Sequence, residues 1–187
     1  MVIGLEDFTS LGILSSFIHV QWAEHVGGWL GVGNDPRYTK RKTFDPFPFP
    51  DATPAQRAVI AELAEELDAT RKAALAETPD LTMTEIYNWR EKLRAQATGG
   101  AKLSPHEEDR ARAARAGIVD RLHQQIDAAV ADAYGWGDDW KRGDLAPAEI
   151  VARLVALNAT RAAEEQAGHV RWLRPDYQLP RFGAKAK

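Results

Sequence analysis

The chain contains no cysteine. That excludes a disulfide framework, a thiolate nucleophile and any cysteine-based zinc site, and it suits the cytoplasmic setting expected here. It also lacks any apolar run near the roughly 18 residues that a membrane-spanning helix requires, and a basic-then-apolar signal pattern at its start. A dominant charge sign is missing as well. With 24 Lys and Arg against 27 Asp and Glu, the net charge is −3, so any nucleic-acid signal must be local. At 187 residues the chain can form one domain, or one domain with an ordered extension.

Catalytic and metal-binding patterns are scarce too. His19 and His25 lie about 240° apart round a helix, so they do not share a face. The run His106-Glu107-Glu108-Asp109-Arg110 puts Arg where a zinc helix needs its second His. His123 and His169 have no acidic or histidine partner at ligand spacing. Ser15-Ser16 falls within a helical pattern instead of on a strand-to-helix turn, which leaves no nucleophile context. No metal site and no catalytic residue is expected, and a small enzyme in its own right has almost no residue support.

What the chain does have is concentrated between Leu14 and Pro50. Arg37, Tyr38, Lys40, Arg41 and Lys42 form a basic cluster with no acid among them. Behind it comes Phe44-Asp45-Pro46-Phe47-Pro48-Phe49-Pro50. Alternating Pro fixes φ near −65° and removes backbone donors, so this segment reads as an extended strap with its rings held in direction. A cationic hook on a rigid strap suits a phosphate backbone better than a small substrate.

The periodicity predicts a mainly α chain of four or five helices, with a small extended element near residues 29–45 and an extended C-terminal strap. A first helix runs from about Asp7 to Val26 on Leu11, Leu14, Ile18 and Trp22, stopped by Gly27-Gly28. Residues 29–45 read as short strands broken by Gly31, Gly33 and Pro36. Thr53-Pro54 starts a helix to about Ala76 with a stripe of Val59, Ile60, Leu63 and Leu67. Thr82 to Glu85 is a capping box for a helix to about Ala97, and Ser104 to Glu107 another, opening the longest helix, to about Tyr134. That helix has the stripe Ala114, Ile118, Leu122, Ile126 and Val130. Pro147 starts the last one, closed by Gly168, with Ala146 a poor cap. The tail from Val170 reads as extended, docked by Trp172, Pro175, Tyr177, Pro180 and Phe182.

Several segments in one order carry a resemblance: LSSFIHVQW, PRYTKRKTFDPFPFP, the helix opening with TPAQR, DAAVADAYGW, VARLVALN and RWLRPDYQLPRFG. Together they resemble the C-terminal part of MmeI-like DNA methyltransferases, large bacterial adenine methyltransferases of restriction–modification and phage-defence systems. The resemblance covers nearly the whole chain, departing at Phe17, where members commonly carry Arg. It implies that residues 1–50 end a DNA target-recognition domain and 51–187 form the helical C-terminal module with its tail. The Gly-rich S-adenosylmethionine loop and the Asn/Asp-Pro-Pro-Tyr/Phe motif of such enzymes are both absent. Asp45-Pro46-Phe47 lacks a Pro of that motif. No cofactor is expected in this chain, since S-adenosylmethionine belongs to a catalytic domain not found in it.

The resemblance turns the basic cluster toward double-stranded DNA, where Arg37, Lys40, Arg41 and Lys42 would meet phosphates, against a plainly solvated loop as the alternative. Tyr38 either stacks on a base or sugar or packs within its loop. Phe44, Phe47 and Phe49 read as a staple, and Trp22 and Trp29 as core. Arg115 and Asn158 fall within apolar stripes and so need partners, either a structural network or, for Arg115, phosphate. Arg171 and Arg174 carry the same choice. The apolar face of the first helix has no evident cover, which predicts a homodimer through it or a complex with a catalytic methyltransferase domain or chain. The competing reading is a stand-alone helical interaction module with no nucleic-acid role.

Overall fold

The computed structural model describes residues 4–30 and 35–183, without the side chains of residues 29, 30, 35 and 36. The Trp29 ring and the breaks expected at Gly31 and Gly33 lie outside that description. The chain is mainly helical, and four helices have fifteen residues or more. It divides into two compact units: Met1–Val20 with Pro50–Asp144, and Gln21–Phe49 with Leu145–Lys187. The division is interleaved and does not follow a single cut at residue 50.

In the first unit, local capping chemistry sets where helices begin. α1 (Phe8–Ser15) is capped by Asp7, whose carboxylate accepts from the Ser10 N–H. α3 (Pro54–Glu77), α4 (Met83–Ala97) and α5 (Pro105–Ala113) each open with a reciprocal box, made by Thr53 with Gln56, Thr82 with Glu85 and Ser104 with Glu107. α6 (Ala116–Ala133) supplies the most buried face, with Val119, Leu122, Ile126 and Val130 fully enclosed. A short α7 (Gly137–Arg142) follows, which the sequence reading did not anticipate. α1 packs on α3 and α6. Its Gly12 lets α3 approach so closely that a Cβ there would stand 2.5 Å from Ile60 Cγ2.

Two expected continuous helices are each broken. The helix expected over Asp7–Val26 is split at Ser16, which is extended (ψ 153°), into α1 and α2 (Phe17–Val26). The cause is distant in sequence. The Asp127 carboxylate on α6 takes the Phe17 N–H at 2.6 Å, and His123, one turn earlier, bonds to the Ser15 backbone. Ser16 satisfies itself by donating to the Ile13 carbonyl. The Phe17 ring then lies near Trp140, with centroids 6.4 Å apart.

The second break is at Arg115, which has φ 51° and separates α5 from α6. Within α6, positions four apart drift by about 40° round the helix, so Val119 lies on the enclosed face with Leu122, Ile126 and Val130 while Ile118 is exposed. Likewise Ile60, Ala64 and Leu67 form the inner face of α3, and Val59 is exposed.

In the second unit, the end of α2 leads into an antiparallel hairpin of β1 (Gly28–Leu30) and β2 (Asp35–Arg37), with Gly28 opposite Arg37. Residues 40–44 are a π turn instead of extended chain. The alternation of Pro with Phe begins only at Pro46, so residues 40–45 keep their N–H groups and use them: Phe44 donates to the Thr39 carbonyl and Asp45 to that of Lys40. α8 (Pro147–Gln166) lacks a side-chain cap at Ala146, and Gly168 at φ 93° ends it.

Within the tail, the segment Pro175–Phe182 is helical where extended chain was expected, and residues 170–174 lie outside any helix. Pro175 occupies the first turn of α9 (Pro175–Phe182), where its missing N–H is harmless and its fixed φ is already helical. Among the described residues no helix is long and apolar enough to cross a membrane. On the N-terminal face predicted to lack a cover, Ile18 and Trp22 are buried while Leu11 and Leu14 are half-buried.

Candidate nucleic-acid interface

The basic cluster is built outward from one enclosed residue. Thr43 is fully buried, its hydroxyl accepts from the Thr39 N–H, and its carbonyl accepts from the Trp22 indole at 2.9 Å. Trp22 in turn packs against Phe47, with centroids 6.1 Å apart. With Thr43 turned inward, Lys40, Arg41 and Lys42 are exposed on the turn, and Arg37 and Tyr38 are exposed just before it. All five sequence-predicted residues therefore reach solvent on one short stretch. π turns recur at functional sites because the wider turn re-aims successive side chains.

The turn rests on the strap. Phe47 and Phe49 are buried and meet edge-on at 5.0 Å, and Phe44 meets Phe49 at 6.0 Å. Proline denies the strap regular backbone pairing, so α8 supplies donors from side chains. Asn158 donates to the Pro46 carbonyl and Arg161 to that of Phe49. The polar residue that stood out in the α8 stripe thus joins a structural network. Arg161, its neighbour one turn on, was not singled out from sequence. Only the irregular strap beside it explains its role.

Local electrostatics favour anions here. Lys40 reaches both oxygens of Asp45 at 2.8 Å, but the pair is exposed and such pairs contribute about 0–1 kcal/mol. A phosphate could exchange for Asp45 at little cost. Desolvation pushes the Tyr38 hydroxyl up to about 12, so it stays a neutral donor. The whole-chain charge hides a segregation. Residues 21–49 and 145–187 hold eleven Lys and Arg against seven Asp and Glu, a net +4. The rest hold thirteen against twenty, a net −7.

The arginines whose role was open divide. Arg115 donates to both oxygens of Glu77 at 2.7 Å, which ties it to a structural ion pair. Arg171 is paired with Glu164. Arg174 and Arg181 both lie over the Tyr177 ring, at 4.8 and 3.8 Å from its centroid.

In the first unit His123 accepts or donates at Tyr87 Oη over 2.9 Å, and Arg71 donates to the same oxygen at 3.0 Å. Desolvation, reinforced by Arg90 and Arg71, holds His123 down to about 4. Burial does the same to His19. Both rings are neutral at neutral pH, and His123 acts as a hydrogen-bonding group while His19 is buried. A cleft of about 500 Å³ beside α6 is lined by Leu93, Ile118, Glu108, Arg112 and Arg115, the two arginines being paired with Asp109 and Glu77. Among the described residues no group of three or more His, Asp or Glu is placed to hold a metal ion.

No family model, curated protein or solved structure matches this chain.

Proposed function

We propose that this chain is the DNA-recognition and C-terminal module of an MmeI-like adenine DNA methyltransferase of a restriction–modification or phage-defence system. It works in the cytoplasm beside a catalytic domain or chain that supplies S-adenosylmethionine and the transfer chemistry. One observation carries the DNA part of this reading. Four cations, Arg37, Lys40, Arg41 and Lys42, are exposed on a turn whose inner residue, Thr43, is fully buried. A cationic turn on a buried footing presents charge with little loss of chain entropy on binding. Contacts of this kind give affinity and register on a duplex without reading bases.

The competing reading, a helical protein-interaction module, draws on the exposed Leu173, Leu179 and Phe182 of the tail. A fluorescent duplex titrated with the parent and with R37A/K40A/R41A/K42A separates the two. The DNA reading expects at least a tenfold loss of affinity, with an unchanged far-ultraviolet circular dichroism spectrum. Equal affinity for parent and variant removes the turn as the contact surface, and no binding by either favours the interaction module.

A further inference from the structure

Between Arg37 and Pro50 the chain has one acid, Asp45, and it stands at the end of the basic turn. Its carboxylate meets an ammonium of that turn, since Lys40 Nζ donates to both oxygens at 2.8 Å. The two residues are also joined through the backbone. The Asp45 N–H donates to the Lys40 carbonyl at 2.8 Å and closes the π turn. On the other flank, the Pro46 carbonyl accepts from Asn158 of α8. Asp45 is therefore fixed on both sides by bonds that do not involve its carboxylate.

Lys40 is held differently. Its side chain is 69% exposed and carries the ammonium on a flexible four-carbon stem, so the cation can swing away while the carboxylate stays. Two carboxylate oxygens on one ammonium offer what phosphate oxygens offer, negative charge at hydrogen-bond distance. When a duplex phosphate takes Lys40, Asp45 remains behind in the contact zone. Binding gives up an ion pair before it gains a phosphate contact. Exposed pairs of this kind shift an equilibrium by up to about fivefold.

We infer that Asp45 sets the affinity of the basic turn, by occupying Lys40 as an internal stand-in that duplex phosphate must displace. The inference rests on the DNA reading of the turn and adds to it a residue that opposes binding.

The test is fluorescence anisotropy of the full chain with a duplex at low salt, comparing the parent with D45N, D45S, K40A and K40A/D45N. D45N and D45S should each bind about three- to fivefold more tightly than the parent. Their far-ultraviolet circular dichroism should be unchanged, because the backbone bonds that close and flank the turn remain. In the K40A background the D45N change should gain less than about twofold, since the cation it would release is already gone.

If D45N gains equally in both backgrounds, Asp45 acts through bulk charge and not through Lys40, and the inference is overturned. If D45N and D45S bind as the parent does, or more weakly, while R37A/K40A/R41A/K42A loses binding, Asp45 is no competitor and the DNA reading stands. If the parent and both neutral variants bind no duplex, the two readings fall together.

Discussion

Asp127→Asn should make the protein more stable at neutral pH. Asp127 is buried on α6 and its carboxylate accepts the Phe17 N–H at 2.6 Å. That hydrogen bond favours the charged form, but desolvation outweighs it and pushes the group up to about 6 from 3.8. The sign follows from linkage. A group whose folded pKa exceeds its unfolded value gives its stabilisation below the unfolded pKa and loses it as pH rises through the folded one. A difference of about two units corresponds to about 3 kcal/mol lost by pH 7, an upper figure because the buried site can relax. Asparagine keeps an oxygen for the Phe17 N–H and has no charge to desolvate.

Urea denaturation of parent and variant at pH 4.5, 5.5, 6.5 and 7.5 measures the difference. Neutral His19 and His123 lose stability in the opposite direction as pH falls from 6.5 toward 4, but they are present in both proteins and cancel. The advantage of the variant should be smallest at pH 4.5, where the desolvation loss is about 1 kcal/mol, and should grow by up to about 2 kcal/mol by pH 7.5. A difference that does not change with pH, or a variant less stable at pH 7.5, would refute the reasoning about desolvation.

Gly12→Ala should destabilise by about 1–3 kcal/mol in thermal denaturation, because the new methyl must push back Ile60 Cγ2 at 2.5 Å and the Ile60 carbonyl oxygen at 3.1 Å. At Arg115, Gly should be more stable than Ala by about 1 kcal/mol, since a side chain at φ 51° carries about 1–2 kcal/mol of strain. Both variants lose the Glu77 pair alike, so their comparison isolates the backbone, and equal denaturation midpoints would mean that the left-handed residue is not strained.

The parts of the fold that could be read from sequence are those set within a few residues. Thr53, Thr82 and Ser104 cap their helices through side chains three positions on, so the starts of α3, α4 and α5 were predicted to the residue. The breaks at Ser16 and Arg115 were not. The Phe17 N–H is taken by Asp127 across 110 positions, and Arg115 is held by Glu77 across 38. No local pattern encodes either. α9 was misread because its prolines suggested extended chain, although one of them sits where a helix accepts it.

The candidate interface was half legible. A run of cations without acids predicted exposed residues, since exposure follows from charge alone, and Arg37, Lys40, Arg41 and Lys42 are exposed. Their setting on a π turn does not follow from charge, because that turn depends on the buried Thr43 and on the Trp22 indole 21 positions earlier. Asn158 was recognised as needing a partner, but not that the partner would be the Pro46 carbonyl.

The basic turn as a phosphate contact is the central claim, and the salt dependence of duplex binding by the parent and by R37A/K40A/R41A/K42A tests it most directly. Four phosphate contacts account for a slope difference of about 3.6, or about 2.7 if Lys40 stays with Asp45. A variant slope flatter by that amount supports the claim. Parallel lines for parent and variant would contradict it.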